Sequence, residues 1–464
     1  MTEQIEAFYK SLAGKKVAFI GTGVTNQSCI ELFAKHGALI TLCDQKPSLE
    51  AFGPLARRLQ ALDIRFSLGP GYLEGLKGQD MIMRTPGFEN FRPELQAARA
   101  AGVQVTSEMQ LFFELCPCPI VAVTGSDGKT TTTTLIAEML KAAGRTVHLG
   151  GNLGRALLPV AQDMAPADVA VVELSSFQLI SMTRSPHIAV VTNVTPNHLD
   201  HHKDMQEYID AKRNILLYQR PGDMAVLGYE NDITRAMAAD VKGELRWFTR
   251  LSETADGGFL REDGMLCLAR GGRVTPVVHK GEVGLRGLHN IENLLAAMTA
   301  VWGLVPVEAM ARVSQEFKGV EHRIEPVRTL DGVQWFNDSI ATSPTRVIAG
   351  LRSFEQKLII IAGGSDKGIS FAPMVPDVLE HVKILILTGA TARKIEDAVR
   401  ADPAFAASGL VIRQAADMAQ AVQIARDLAR PGDIVSLSPA CASFDSYPNF
   451  EARGRHYKQL VNAL

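Results

Sequence analysis

Gly125-Ser126-Asp127-Gly128-Lys129-Thr130 is the stretch with the most explicit chemistry in this chain. An apolar run, Ile120–Val123, leads into it, and a helical pattern from Thr132 to Gly144 follows. Backbone N–H groups of such a loop, together with a helix N-terminus, hold phosphates. Lys129 supplies a point charge to the outer phosphates, the Thr130 hydroxyl can ligate Mg²⁺, and Thr131 extends the same turn. The usual P-loop begins with glycine where this chain has Val123. The core Gly-Ser-Asp-Gly-Lys-Thr and its strand–loop–helix setting remain, and that setting is what the motif requires.

Further polar groups stand at the ends of successive apolar runs. Gly150-Gly151-Asn152 follows RTVHL, Glu173 ends DVAVV, and Asn197 and His198 follow HIAVVTNV. In a parallel sheet the carboxyl ends of the strands gather along one edge, where ligands bind. Lys129, Thr130, Asn152, Glu173 and His198 are therefore expected to converge. A carboxylate and an imidazole beside a triphosphate suit Mg²⁺. Taken singly, a turn cap explains Glu173 and a surface position explains His198; the shared position is the argument. His201 and His202 are ligands by type but adjacent, so they would not face one site on a helix. They read as solvated.

A second glycine loop lies near the N-terminus. Val17–Ile20 runs into Gly21-Thr22-Gly23-Val24-Thr25-Asn26, a helical stretch follows, and a second apolar run closes on Asp44. This is close to the dinucleotide fingerprint, acidic residue included, with Asn26 in place of the third glycine. An NAD(P)-dependent oxidoreductase is one reading of it. Another diphosphate on the same fold is the other.

Positioning these groups requires strands and helices in alternation. VAFI (17–20), IVAV (120–123), DVAVVEL (168–174), HIAVV (187–191), KLIIIA (357–362) and KILIL (383–387) are continuous apolar runs separated by helical patterns. Continuous rather than alternating apolarity predicts parallel strands covered on both faces. The fold class is α/β, in three domains: a Rossmann-like N-terminal domain, a central P-loop-type domain and a Rossmann-like C-terminal domain. The glycine-rich segment Thr249–Gly287, with GGFL, GMLCLA and GRVTPVV, predicts a small antiparallel sheet. Boundaries are expected near 106 and 319, giving domains 1–106, 107–319 and 320–464.

The 48 basic and 50 acidic residues nearly cancel, which argues against a nucleic-acid coat or a membrane-surface protein. Hydrophobic residues make up 46%, enough for substantial cores. No apolar run approaches the roughly 18 residues of a membrane span. The charged, amphipathic start is not a signal peptide. The six cysteines are scattered, and Cys116-Pro117-Cys118 has no second pair, so they read as free thiols in a reducing cytoplasm. The sequon at Asn193 carries no weight without secretion.

Together, TGSDGKTTT, GGNLG, VELSSFQL, NVTPNHLDHH, HNIENLLAA, EHRIE, NDSIATSPT, GGSDKG and SPACASFDSYPNFEARG resemble the Mur ligase family over nearly the full length. The last of these, with ELSSFQL, points to the D-glutamate-adding branch. The resemblance implies an ATP-dependent amide ligase of peptidoglycan precursor synthesis. It would add D-glutamate to UDP-N-acetylmuramoyl-L-alanine through an acyl phosphate, as a cytoplasmic monomer with small-molecule substrates and no nucleic-acid partner. It further implies two Mg²⁺ sites, one at Thr130 and Glu173 and one at His198. Lys212 matches a lysine that is carbamylated in the family. Catalysis would fall to Lys129, His198 and Lys212, with His198 or solvent as the base. Asn290 and Asn293 match positions at the adenine, and Arg323 and Asp338 match nucleotide contacts of the third domain. Thr342, Lys367, Ser443 and Phe450 match D-glutamate contacts. With ATP at the Lys129 loop, the N-terminal loop is free for the UDP substrate. Gly23, Val24, Thr25, Asp44, Gln45, Lys46, Gly87 and Asn152 are its expected contacts. The sequence departs from the family at Ile340, where members often carry lysine after Asn-Asp-Ser. Either Arg346 supplies the cation or the subgroup is wired differently; ligase activity is expected in both cases.

Overall fold

The computed structural model describes residues 2–153, 156–196, 201–285, 287–366 and 370–464. His198 and Lys367 lie outside the described residues. The chain forms two compact units, Met1–Phe317 and Lys318–Leu464. The first holds two sheets and the second one.

The N-terminal sheet has five strands: β1 (Lys16–Ile20), β2 (Leu39–Asp44), β3 (Arg65–Leu68), β4 (Met81–Arg84) and β5 (Gln104–Thr106). Their order is β3-β2-β1-β4-β5, all parallel. Val17 and Phe19 enter one core, Ala18 and Ile20 another, so β1 is covered on both faces as its unbroken apolar run requires. Ile20 pairs with Cys43 of β2 and Arg84 of β4. Gly21, Asp44 and Thr85 therefore leave the sheet side by side.

The larger sheet comprises β6 (Ile120–Thr124), β7 (Val147–Gly151), β8 (Val169–Glu173), β9 (Ile188–Val191), β10 (Met224–Gly228), β11 (Glu244–Thr249), β12 (Gly257–Leu260), β13 (Met265–Arg270) and β14 (Arg273–His279). Its order is β14-β13-β12-β11-β10-β9-β6-β8-β7. GGFL, GMLCLA and GRVTPVV do pair antiparallel, as β12–β14. They do not form a sheet of their own, however. β12 runs parallel to β11 and joins the three strands to the edge of the large sheet. Gly257 makes the close approach possible, since a Cβ there would lie 1.8 Å from the Trp247 carbonyl oxygen. One core joins the two sheets, with Phe19 and Phe33 in the same cluster as Phe112, Ala122 and Val172.

The second unit carries β15 (Glu325–Leu330), β16 (Val333–Asn337), β17 (Leu358–Ala362), β18 (Val382–Leu387), β19 (Val411–Gln414) and β20 (Ile434–Leu437). The order is β15-β16-β20-β17-β18-β19, with only the β15–β16 pair antiparallel. No helix among the described residues is long and apolar enough to cross a membrane.

Asn26 has a structural reason. It is fully buried, and its Nδ2 donates to the carbonyls of Ile20 (3.0 Å) and Gly21 (3.1 Å), tying off the end of β1. A glycine there could not do so. Asn26→Ala is expected to cost about 1–3 kcal/mol, because two carbonyls lose a buried donor. Urea denaturation followed by circular dichroism measures it.

Candidate active site

The central glycine loop is held from below. β6 ends at Thr124, β9 at Val191, and the two are neighbours in register. The Ser126 N–H donates to the Asn193 carbonyl (2.8 Å) and the Asp127 N–H to Asn193 Oδ1 (2.9 Å). Thr192 Oγ1 donates to the Asp127 carbonyl (2.6 Å). The fit leaves no room for side chains. A Cβ on Gly125, at φ +150°, would lie 1.9 Å from Thr192 Oγ1, and one on Gly128 would lie 2.2 Å from Asn293 Oδ1.

Lys129 opens the helix Lys129–Ala142, and its Nζ donates to the carbonyls of Gly125 (2.9 Å) and Ser126 (2.8 Å). Lys212, on the helix Met205–Leu217, reaches the same Gly125 carbonyl at 2.8 Å. It is not a surface cation: the residue is 1% exposed. Its Nζ also lies 3.4 Å from Thr124 Oγ1 and 4.7 Å from the Tyr208 ring centroid. Burial drives the Lys212 ammonium well below the ordinary lysine range, and repulsion from Lys129 adds to it. Asp127 and Glu173 pull the other way.

Glu173 ends β8 beside Val123 of β6 and Gly151 of β7. Thr130 Oγ1 donates to Glu173 Oε2 and Asn152 Nδ2 to Glu173 Oε1, both at 2.6 Å. Lys129, Thr130, Asn152, Glu173 and Lys212 are thus brought together at one sheet edge. Thr130 and Glu173 present hard oxygen donors and fit Mg²⁺ by type. Asn293 Nδ2 donates to Asn290 Oδ1 (3.1 Å), and its Oδ1 accepts from Thr132 (3.3 Å), so the asparagine pair abuts the loop.

At the N-terminal sheet, Thr85 Oγ1 would lie 3.0 Å from a Cβ on Gly23. Gly87 follows in the same turn. Asp44 Oδ1 accepts the Lys46 N–H (3.0 Å), Gln45 Nε2 donates to the Tyr72 hydroxyl (3.3 Å), and the Lys46 ammonium rests over Phe52. The loop at Gly21–Thr25, the turn at Asp44–Lys46 and the turn at Thr85–Gly87 share one edge.

In the second unit, Asp338 is buried, which raises its carboxyl to about 7. The Ile324 N–H, Arg323 and Arg346 work against that rise. Arg323 is exposed, between two residues of positive φ, His322 (+65°) and Ile324 (+44°). Asn337 Nδ2 donates to His322 Nδ1 (2.8 Å), and the Ile324 N–H to Asp338 Oδ1 (3.2 Å), so the strained turn is held at both sides. Arg346 Nη1 donates to the Ile340 carbonyl (3.0 Å), which brings a guanidinium to the position where the sequence lacks lysine. Glu321, His322 and Glu325 are close enough together to suggest a metal. Lys458 already bridges both carboxylates, at 3.0 and 2.6 Å, so the charge is balanced without one.

Three family models match the chain: the Mur ligase MurD-like N-terminal domain at residues 15–107, the Mur ligase middle domain at 123–301, and the Mur ligase glutamate ligase domain at 322–441. The UDP-N-acetylmuramoylalanine–D-glutamate ligase of Symbiobacterium thermophilum is 49% identical, over 97% of this chain and 98% of that protein. The enzyme of the same name from Acetivibrio thermocellus is 46% identical over 100% of both.

The chain belongs to the Mur ligase family.

The fold agrees. UDP-N-acetylmuramate-alanine ligase MurC of Thermotoga maritima superposes with TM-score 0.54 at 17% identity, covering 97% of this chain and 99% of that one. Folylpolyglutamate synthase of Mycobacterium tuberculosis gives 0.53 at 14%, covering 76% and 94%. Mur ligases use ATP and Mg²⁺.

Several residues that hold this Mur ligase site together are absent from the sequence reading. Asn193 was visible only as a sequon, yet it anchors the phosphate loop. Tyr208, four residues before Lys212 and so on the same helix face, shares a hydrogen bond of 3.0 Å with Ser126 Oγ. Arg84 is 1% exposed and donates to the carbonyls of Thr85, Pro86, Phe88 and Phe177 and to Ser181 Oγ. It ties the Thr85 turn to the segment after β8. Arg453 does the same in the second unit, donating to Ser339 Oγ and to the carbonyls of Ser339, Cys441 and Ala442. Ser339 Oγ in turn donates to the Phe450 carbonyl (2.8 Å), so Arg453 knits the segments that carry Thr342, Ser443 and Phe450. Burial lowers both guanidiniums to about 10.

His202 is a correction. It is 4% exposed, not solvated: Nε2 lies 2.9 Å from Ser176 Oγ, Nδ1 lies 3.0 Å from Glu207 Oε1, and the ring stacks on Phe177. His201 is exposed, as expected.

Lys212 generates a stability prediction. Its folded-state pKa lies below the unfolded value of about 10.4, so between the two the unfolded chain holds a proton that the folded chain lacks. Stability then rises with pH across that window, and the penalty is largest at its acid end. Lys212→Met removes the penalty. The variant is expected to melt above the parent at neutral pH, with the gap closing towards pH ~10, in thermal scans across that range.

Proposed function

We infer that this Mur ligase joins D-glutamate to UDP-N-acetylmuramoyl-L-alanine and cleaves ATP to ADP and phosphate. Full-length relatives at 42–49% identity that carry the name of that enzyme support the substrates. The observation that carries the chemistry is the convergence of Lys129 and Lys212 on the Gly125 carbonyl, at the sheet edge that also carries the Thr130–Glu173 pair.

An amine does not displace oxide from a carboxylate at a useful rate. Phosphorylation of the L-alanyl carboxylate gives an acyl phosphate, from which phosphate leaves when the D-glutamate amine attacks the acyl carbon. The first step brings two anions together, so cations must screen them. Lys129 is aimed at the loop interior, and with a nucleotide bound its ammonium exchanges loop carbonyls for phosphate oxygens. The Ser126 and Asp127 N–H groups hold the loop to Asn193, and the N–H groups at Gly128–Thr131, where the helix begins, orient the chain of phosphates. Thr130 and Glu173 would hold one Mg²⁺, and His198 and Lys212 a second, and the ions would supply further charge neutralisation. Carbamylation of Lys212 needs a neutral amine to attack CO₂, with loss of a proton, and the depressed Lys212 value supports it. His198 or solvent takes the proton of the incoming amine.

The UDP moiety is assigned to Gly23, Val24, Thr25, Asp44, Gln45, Lys46 and Gly87, with Asn152 between this group and Glu173. The adenine is assigned to Asn290 and Asn293, further nucleotide contacts to Arg323 and Asp338, and D-glutamate to Thr342, Lys367, Ser443 and Phe450. Domains 1–106, 107–319 and 320–464 divide these tasks in a cytoplasmic monomer. Arg346 takes the role of the missing lysine at Ile340, supported by its bond to that residue's carbonyl.

Phosphate release is expected with ATP, Mg²⁺, UDP-N-acetylmuramoyl-L-alanine and D-glutamate, and not with L-glutamate, L-lysine or D-alanine. Release independent of D-glutamate would overturn the reading. Arg346→Ala is expected to lower kcat at least about tenfold, with Arg346→Lys recovering part of it. An Arg346→Ala enzyme at full rate would remove Arg346 from the phosphate electrostatics.

A further inference from the structure

The Lys129–Lys212 centre rests on a second layer of buried side chains that the reaction itself does not use. Tyr208 is its middle. The residue is 1% exposed, its hydroxyl meets Ser126 Oγ of the phosphate loop, and its ring lies under the Lys212 ammonium. A ring with these two attachments determines where Ser126 and Lys212 sit relative to one another. The other side of Tyr208 is packed by His202, with ring centroids 5.2 Å apart at 61°.

His202 is itself gripped on three sides. Its ring stacks on Phe177 at 5.0 Å and 4°. Ser176 Oγ meets Nε2 and Glu207 Oε1 meets Nδ1. A carboxylate only accepts, so Nδ1 carries a proton, and in the neutral ring Nε2 then accepts from the Ser176 hydroxyl. Ser176 and Phe177 follow Glu173 by three and four residues, and Glu207 sits in the first turn of the helix that carries Tyr208 and Lys212. The imidazole is therefore a two-ended strut. One end holds the segment leaving β8 beside the carboxylate, and the other holds the lysine-bearing helix. His198 lies outside the described residues, and nothing here depends on it.

We propose that His202 is a positioning residue for the ligase centre: as the Nδ1–H imidazole it fixes Tyr208, and through Tyr208 the spacing of Ser126 and Lys212. It touches no reacting atom. This rests on the ligase reading for its effect on turnover, but the strut itself does not. A displacement of about 1 Å at such a centre costs on the order of 100-fold in rate. The loss belongs to kcat, because D-glutamate is assigned to the other unit.

Full-length variants of the strut, with Tyr208→Phe alone and in combination, test it. His202→Phe keeps a ring against Phe177 and loses both hydrogen bonds. His202→Asn keeps a donor near the Nδ1 position, towards Glu207. Glu207→Gln alters the partner at a half-exposed position and keeps the imidazole, which guards against a His202→Phe protein that does not fold. The expected results are a kcat about 100-fold lower for His202→Phe, with KM for D-glutamate within about twofold of the parent. His202→Asn should regain at least about a tenth of the parent rate, and Glu207→Gln should fall in between. Combining His202→Phe with Tyr208→Phe should cost clearly less than the product of the two single effects, since both act on one contact. A parent-like kcat in His202→Phe and Glu207→Gln, multiplicative effects in the pair, or a change confined to KM for D-glutamate would overturn the proposal. Nitrogen-15 NMR of the ring, assigned by difference with His202→Phe, supplies a readout independent of turnover. A protonated Nδ1 and bare Nε2 are expected, and the opposite tautomer overturns the strut. A parent protein without D-glutamate-dependent phosphate release, yet with the expected tautomer, would instead count against the ligase reading alone.

Discussion

Two lysine amines donate to one carbonyl oxygen, that of Gly125, and one of them is buried. Like charges this close in a poorly solvated place disfavour double protonation, and desolvation decides which amine yields: Lys212, at 1% exposure. The arrangement is possible only because Gly125 adopts a φ of +150° against Thr192 and Asn193, where a Cβ has no room. The pair is unequal: burial and repulsion from Lys129 both push the Lys212 ammonium towards losing its proton. Lys129 keeps its ammonium on the loop carbonyls of Gly125 and Ser126, while Lys212 is the amine that burial holds back from protonation. Much of the surrounding structure can be understood as holding this pair in place against its own repulsion.

Register does most of that holding. Strands β6, β8 and β9 end in step, so Gly125, Glu173 and Thr192 emerge together without any long side chain reaching across. The same logic operates at the N-terminal sheet, where β1, β2 and β4 release Gly21, Asp44 and Thr85 as neighbours. Backbone carbonyls freed by these turns need donors, and two buried arginines provide them. Arg84 and Arg453 are surrounded by carbonyl and hydroxyl oxygens, with no carboxylate among the hydrogen-bond partners named above. A guanidinium offers five donors in one plane, so a single side chain can satisfy several turn carbonyls at once. Removing either would take a donor from several turn carbonyls at once, although those of Thr85 and Ala442 would keep the N–H groups of Phe88 and Ser365.

What could be read in advance follows from this geometry. Lys129, Thr130 and Glu173 were legible because a glycine loop and strand ends are local signals, and a parallel sheet converts them into neighbours. Asn26 was visible as a departure from the dinucleotide pattern, but its function as a donor to Ile20 and Gly21 needed the fold. Lys212 was singled out by resemblance alone, and His202 was misleading. On a helix with a polar face, a lysine is ordinarily solvated, and two adjacent histidines ordinarily are too. Their burial comes from partners far away in the sequence, Gly125 for one and Ser176 for the other. The β12–β14 strands were recognisable as antiparallel pieces, whereas their union with the large sheet depends on the parallel pairing of Gly257–Phe259 with Trp247–Thr249, which residues distant from any local pattern decide.

The sequence by itself determined the fold class and the main nucleotide loops, because hydrophobic period and glycine placement act over a few residues. It also determined the family, through motifs whose order spans the whole chain. Only the tertiary structure decided protonation and positioning. Whether Lys212 is charged, which tautomer His202 adopts and which carbonyls Arg84 and Arg453 satisfy are set by burial and by partners dozens of residues away. Solvation and electrostatics are properties of the packed interior, and no local pattern of residues encodes them.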